Sequence, residues 1–175
     1  MKKTAELPPD TDRLAFRKWN DDDLDRLHAI CSKPQVMQFV GDGQVWAKDR
    51  TLEFIRSATE MFLEHGFCQW PLTHKADGKL IGYCGVVKSD DALEIGWRLA
   101  PEYWGRGLAT EAARAILNHN IRKLGFQRLI ATVQAMNMAS IRVIEKLGMT
   151  LADTFDRDGR KVLFYSVDAS CLTSG

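Results

Sequence analysis

The stretch Leu93-Glu94-Ile95-Gly96-Trp97-Arg98-Leu99-Ala100-Pro101-Glu102-Tyr103-Trp104-Gly105-Arg106-Gly107-Leu108-Ala109-Thr110-Glu111-Ala112 reads as a strand that enters a glycine-bearing turn and then a helix. The first amides of a helix have no partner inside it, and the helix dipole adds partial positive charge there, so such a junction favours an anion. Gly105 and Gly107 let the backbone approach a phosphate closely, and Arg106 adds a positive charge. The segment is a candidate pyrophosphate cradle; the competing reading is a glycine-rich turn without a ligand. A P-loop is excluded, because Gly-x-x-x-x-Gly-Lys-Ser/Thr is absent. A dinucleotide fingerprint fits poorly: Thr110 stands in place of its third small residue, and Leu129 and Ile130 occupy the region of its acid.

A second informative segment is Asn137-Met138-Ala139-Ser140-Ile141-Arg142-Val143-Ile144-Glu145-Lys146-Leu147-Gly148-Met149. Together the two segments resemble the GNAT N-acetyltransferase superfamily. The first is similar to its acetyl-coenzyme A loop, Gln/Arg-x-x-Gly-x-Gly/Ala. The second is similar to its Asn-x-x-Ala/Ser-x-x-Leu/Val-x-x-Lys-x-Gly-Phe segment. One helix and one strand separate them, which also fits. Thr11-Asp12-Arg13-Leu14 with Arg17, and the run from Trp104 to Ala112, resemble the RimJ/RimL-like branch that acetylates ribosomal-protein N-termini. The likeness extends over nearly the whole chain and is weakest across residues 20–75, where the acceptor would bind. Three departures stand out: Trp104 in place of Gln or Arg, Met149 in place of Phe, and Ile144 where many relatives carry a general-acid tyrosine. Isoleucine donates no proton, and the resembled branch often has a serine one turn earlier, where Ser140 stands.

The resemblance implies acetyl transfer from acetyl-coenzyme A to a primary amine by direct attack. The pantetheine arm would lie along the backbone of Trp97, Arg98 and Leu99. The pyrophosphate would sit on Gly105, Arg106, Gly107, Leu108, Ala109 and Thr110. An amide near Leu99 would stabilise the oxyanion. Asn137 would bind the cofactor or a bridging water, or serve only as a helix cap. Ser140 would stand near the departing sulfur, or merely complete the first turn of its helix. Glu94 is the candidate base, with an ion pair to Arg98 as the alternative. An α-amine, with a reference pKa of about 7.7–8.0, is partly neutral at pH 7, whereas lysine, at about 10.4, is rarely so. A protein N-terminal α-amine therefore leads, followed by a small amine such as an amino acid, polyamine or antibiotic. A degenerate, non-catalytic acetyl-coenzyme A-binding module is the reading outside the enzyme class. Cys68 or Cys84 acting as a ping-pong nucleophile has no histidine partner to support it. Trp46, Phe67, Trp70 and Tyr83 are read as acceptor-pocket lining or as core.

These residues need elements to place them. Residues 13–18 read as a first strand. Asn20-Asp21-Asp22-Asp23 reads as the cap of a helix bearing Leu24, Leu27, His28, Ile30 and Cys31. A second helix is expected over 48–65, with Leu52, Ile55, Phe62 and Leu63 apolar and Gly66 as its C-terminal cap. Strands follow at 67–73 and 79–87, turned by Asp77-Gly78, and at 92–100. A helix at 108–124 shares one face among Leu108, Ala112, Ala115, Ile116 and His119, and Gly125 ends it. A strand at 127–134, a short helix from Asn137 to Gly148, and strands at 150–156 and 161–167 around Asp158-Gly159 complete the order. The fold class is α/β (α+β): one GNAT-like domain over 1–175, a mixed sheet of about seven strands and about four helices, with 1–10 a flexible lead-in.

Composition agrees. The 175 residues suit one domain, and 45% hydrophobic with 27% charged side chains is ordinary for a globular chain. Basic and acidic residues number 24 and 23, without the basic excess of a nucleic-acid binder. No apolar run is long enough for a bilayer, and Met1-Lys2-Lys3 is followed by polar, proline-rich sequence rather than a signal core. A cytoplasmic location is the expectation. Cys31, Cys68, Cys84 and Cys171 are scattered and read as reduced thiols; His65-x-x-Cys68 alone is no metal site, and none is assigned. The chain is read as a monomer or homodimer, the exposed edge of the last strands being where two copies could pair.

Overall fold

Strand-forming and helix-forming runs both occur along the chain, and the longer helices carry an apolar stripe that can cover a sheet. The computed structural model describes residues 6–89 and 92–172. In chain order the elements are β1 (Leu14–Phe16), α1 (Asp23–Cys31), α2 (Pro34–Met37), α3 (Lys48–His65), β2 (Gln69–His74), β3 (Lys79–Ser89) and β4 (Ala92–Leu99). A 3-10 turn (Pro101–Tyr103) leads to α4 (Leu108–Arg122), β5 (Arg128–Gln134), α5 (Met138–Lys146), β6 (Thr150–Arg157), β7 (Arg160–Asp168) and α6 (Ala169–Leu172). The seven strands form one sheet in the order β1-β2-β3-β4-β5-β7-β6. Every neighbouring pair is antiparallel except β4 and β5, which run parallel with α4 as their crossover.

The single mixed α/β domain and its seven strands are as expected. The four expected helices are α1, α3, α4 and α5; α2 and α6 are single turns, too short to show a hydrophobic period. Of the expected lead-in, residues 1–5 lie outside the described residues. Residues 6–10 have no regular structure, yet Pro8 is buried and Asp10 accepts a bond from the Phe16 amide at 3.1 Å.

Two details of the helices differ from expectation. On α3 the buried stripe is Thr51, Ile55, Ala58 and Phe62, while Leu63 is 74% exposed. Thr51 can be buried because its hydroxyl donates to the Ala47 carbonyl at 3.2 Å. On α1 no side chain caps the N-terminus. Asp23 is instead buried and takes both terminal nitrogens of Arg17, at 2.7 and 2.6 Å, together with the Asn20 amide at 3.0 Å. That bidentate pair fixes the angle at which the chain leaves β1 and enters α1.

Tyr83 and Arg98 are register partners on β3 and β4, and their side chains face α1 and α3. Phe54 of α3 packs on Tyr83 in a tilted pair, 4.6 Å between ring centroids, and Arg98 reaches Cys31 of α1. α4 packs on β3 and β4, and α5 beside β5. Trp70, Leu72, Ile81, Val86, Leu129 and Ile116 are among the fully buried side chains that these contacts enclose.

Asp23→Ala leaves the Arg17 guanidinium without its acid. Because Arg17 keeps partial contact with water, a loss of about 2 kcal/mol is expected in urea unfolding, below the range for a fully buried pair. A change under about 0.5 kcal/mol would make the pair an ordinary surface bridge.

Candidate active site

β4 and β5 are paired over only two register positions, Leu93 with Leu129 and Glu94 with Ile130. Beyond them β4 stays with β3 as far as Leu99, and β5 stays with β7 as far as Gln134. The two parallel strands therefore part, and their facing edges open a cleft. Glu94 stands where they separate. Its carboxylate accepts the Thr132 amide at 3.3 Å and the Thr132 hydroxyl in a short bond. The side chain thus continues across the gap a connection that the backbone ladder no longer makes. Glu94 lines neither cavity described below, and among the described residues it forms no ion pair with Arg98. Neither position expected for it is the one it holds.

On one side of the cleft lies a cavity of about 410 Å³ at the start of α4. Gly105 and Gly107 adopt φ of +70° and +76°, and Gly107 is the residue before the helix. An L side chain there costs about 1–2 kcal/mol. No side chain caps α4, and its intrahelical bonding begins with the Glu111 amide on the Gly107 carbonyl. The amides of Leu108, Ala109 and Thr110 are therefore left for a ligand. Glu111 does not fold back to cap them because it is held elsewhere. It accepts from the Thr11 hydroxyl at 2.6 Å, the Arg13 amide at 3.0 Å and Arg13 Nε at 2.7 Å. Arg13 also donates to the Arg106 carbonyl at 2.8 Å, and Trp104 Nε1 to the Leu99 carbonyl at 2.8 Å. The loop is thus strapped at both ends. Burial pushes the Glu111 carboxyl up, but the bonds from Thr11 and Arg13 outweigh it and hold the group below its usual range.

Trp97, Arg98, Leu99, Gly105, Gly107, Leu108, Ala109, Thr110 and Asn137 all line this cavity. Arg106 does not. Its guanidinium turns onto the Tyr103 ring, 5.4 Å from the centroid, and toward His74 Nε2 at 3.5 Å. The Tyr103 hydroxyl in turn donates to Asp77 at 2.7 Å, which helps hold that carboxyl down at about 2. The charge assigned to a phosphate is a loop anchor, and only the backbone of Arg106 remains for the cradle.

The second cavity, about 500 Å³, lies between residues 39–42, the parted ends of β4 and β5, and the β6–β7 turn. It shares Phe39, Val40, Trp97, Arg98, Asn137 and Ser140 with the first. Asn137 Oδ1 caps α5 by accepting the Ser140 amide at 3.2 Å, so the capping role is real and coexists with a place in both cavities. Ile144 is 1% exposed and lines the second cavity, where it supplies no proton. Of the four aromatic candidates, Tyr83 alone lines this space. Trp46, Phe67 and Trp70 belong to the core. Burial pushes the Tyr83 phenol up to about 12. Burial likewise raises the thiols of Cys68 and Cys84, which suits core packing rather than nucleophilic attack.

Several wall residues were not foreseen. Residues 39–42 form one side, and Arg160 at the β6–β7 turn donates to the Gly41 and Asp42 carbonyls at 2.8 Å each. Nothing local in the sequence marks that contact; only the bare presence of arginine beside a hairpin turn hints at it. Among the described residues, no group of three or more His, Cys, Asp or Glu is arranged to hold a metal ion.

A family profile described as Acetyltransferase (GNAT) domain matches residues 13–150. YkkB of Bacillus subtilis (strain 168), an uncharacterized protein, is 31% identical over 160 residues, covering 89% of this chain and 92% of that one. A GNAT-family acetyltransferase structure from Bacillus anthracis superposes with a TM-score of 0.83 at 25% identity, over 94% of this chain and 99% of the other. A ribosomal L7/L12 α-N-protein acetyltransferase in complex with coenzyme A has the same fold, with a TM-score of 0.81 at 18% identity over 93% and 98%.

Two outcomes test the cradle. Gly107→Ala should weaken coenzyme A binding about tenfold by calorimetry, while Arg106→Ala should change it less than about threefold. The reverse ranking would put the guanidinium on the phosphates. The strap predicts a pH effect as well. A carboxyl held below its usual value of about 4.3 stabilises the fold above that pH, and the contribution is lost as pH falls further. Glu111→Gln should therefore flatten the decline in unfolding free energy between about pH 5 and pH 3; an unchanged decline would assign it to other carboxylates.

Proposed function

As a member of the GNAT acetyltransferase family, this chain is an N-acetyltransferase, and we propose that it acetylates a primary α-amine by direct attack. One observation carries the reading. Two cavities open along the parted strands and meet at Phe39, Val40, Trp97, Arg98, Asn137 and Ser140. One has the features of a phosphate cradle; the other has none of them.

The residues fit acetyl-coenzyme A. The uncapped amides of Leu108, Ala109 and Thr110 would hold the diphosphate, with Gly105 and Gly107 keeping side chains out of its way. The backbone of Trp97, Arg98 and Leu99, on the edge that β5 has left, would hold the pantetheine arm, with Asn137 across the cleft. Bound there, it supplies an activated acyl group and a thiol leaving group. Ser140 lines both cavities, and among the described residues nothing hydrogen-bonds its hydroxyl, which is thus available to place a proton on the departing sulfur. Buried Cys68 and Cys84 support direct attack over an acyl-enzyme.

The proton balance supports an α-amine. Glu94 is tied to Thr132, and the carboxylates that line the acceptor cavity are Asp42 and Asp158, both solvent-exposed. With no histidine and no other carboxylate in the lining of either cavity among the described residues, an acceptor partly neutral on its own is favoured over lysine. A protein N-terminus and a small α-amine both meet that requirement. Four free cysteines suit a reducing cytoplasm, and among the described residues no helix is long and apolar enough to cross a membrane.

Thiol release from acetyl-coenzyme A should occur with free α-amines and not with N-blocked, lysine-containing peptides, and should rise with pH toward about 8. Release with lysine alone would overturn the α-amine. Ser140→Ala should lower turnover about a hundredfold while coenzyme A affinity holds; full activity would remove Ser140 from the chemistry. Binding without release to any amine would leave a non-catalytic module.

A further inference from the structure

Resting on the acetyl-transfer reading, we propose that the acceptor is a free α-amino acid whose carboxylate is bound by the Arg98 side chain. Arg98 is 7% exposed. Its guanidinium lies over Trp46 at 4.3 Å and Tyr83 at 5.1 Å, and Nη1 donates to the Cys31 sulfur at 3.4 Å. Its Nε is buried and has no hydrogen-bond partner. Among the described residues no carboxylate pairs with it.

Buried charges are paired as a rule, because desolvation is otherwise uncompensated. Three other arginines that anchor this fold have a carboxylate: Arg13 pairs with Glu111, Arg17 with Asp23 and Arg26 with Glu102. Each of those three is also more exposed than Arg98. A thiol is a weak acceptor, and ring faces offset only part of a guanidinium's lost hydration. Arg98 is thus a nearly buried cation lacking an anion, in the wall of the acceptor cavity and beside the point where the two cavities join.

The surroundings narrow what the anion belongs to. Gly96, two residues back on the same strand face, keeps the space beside Gln69 free of a side chain. The outer wall carries both signs, Asp42 and Asp158 beside Arg157 and Arg160, so Arg98 is the one charged side chain of this lining that is buried. A polyamine would bring a second cation to the guanidinium. A peptide N-terminus would offer only a neutral carbonyl there. An α-amino acid presents a carboxylate one carbon from its amine, so the anion can reach Arg98 while the amine stays near Ser140. Arg98 would then position the acceptor, and its loss should act on KM before kcat.

The test measures kcat/KM for thiol release with an equimolar mixture of the twenty amino acids, their carboxamides, spermidine and free N-terminal peptides. Amino acids should exceed every other class by at least about tenfold. In Arg98→Gln that preference should collapse toward unity through KM, and Arg98→Lys should restore part of it. A second readout needs no turnover. The Arg98 Nε–H resonance, assigned by its loss in Arg98→Lys, should shift with the amino-acid mixture and not with the carboxamides. Equal or better use of spermidine, peptides or carboxamides, or a preference that survives in Arg98→Gln, overturns the proposal while leaving acetyl transfer intact. If no amine releases thiol, the transfer reading falls, and the resonance alone decides whether Arg98 binds a carboxylate.

Discussion

The separation of β4 from β5 is the constraint on which the rest of this structure depends. A parallel pair that stops after two positions leaves two strand edges whose amides and carbonyls need other partners. Some of that need is met internally, by the Glu94 carboxylate on the Thr132 amide. The remainder faces the cleft. Both strands lead toward the amino ends of helices, β4 through the 3-10 turn and glycine loop into α4 and β5 into α5, so the free edges and the helix amides converge at one opening. Ligands of α/β sheets gather where neighbouring strands part at their carboxyl ends, and here that rule works through a single broken pairing.

The opening is electrically divided. On the α4 side, positive potential comes from backbone amides joined by Arg142 and Lys146 of α5 in the cavity lining, while Arg13 is spent on Glu111 and Arg106 on the Tyr103 ring. In the second cavity it comes from side chains, Arg98 between aromatic faces and Arg157 and Arg160 in the outer wall. A dipole that takes its partners from the backbone suits a diphosphate of fixed chemistry, while a side chain is free to differ with the acceptor. That distribution accounts for the uneven resemblance, strong at the loop and weak across residues 20–75.

What the sequence revealed follows the same division. Gly105, Gly107 and the Asn137 cap are local devices, and their residue types indicate the backbone they produce. The end of α3 at Gly66 and the turn at Asp158-Gly159 are legible for that reason. Side-chain direction is another matter. Thr51 rather than Leu63 is buried on α3 because the helix lies at an angle set by its neighbours, not by its own hydrophobic content. Arg106 was read from its place beside two glycines, but its direction is decided by Tyr103 and His74. Glu94, Arg98 and Arg160 each act on partners far along the chain, and no short window of sequence contains both halves of such a contact.

The strap from Thr11 and Arg13 to Glu111 joins groups about a hundred positions apart in the chain. The first strand is therefore a structural part of the cofactor loop rather than an ornament at the sheet's edge. During synthesis the loop emerges long after the segment that shapes it, so its final form waits on a preformed partner rather than on local folding. The same dependence matters to anyone handling the protein. A tag or cleavage site placed just before Thr11 would be felt at the coenzyme A end of the cleft, whereas α6, which packs on β7, offers an attachment point remote from it.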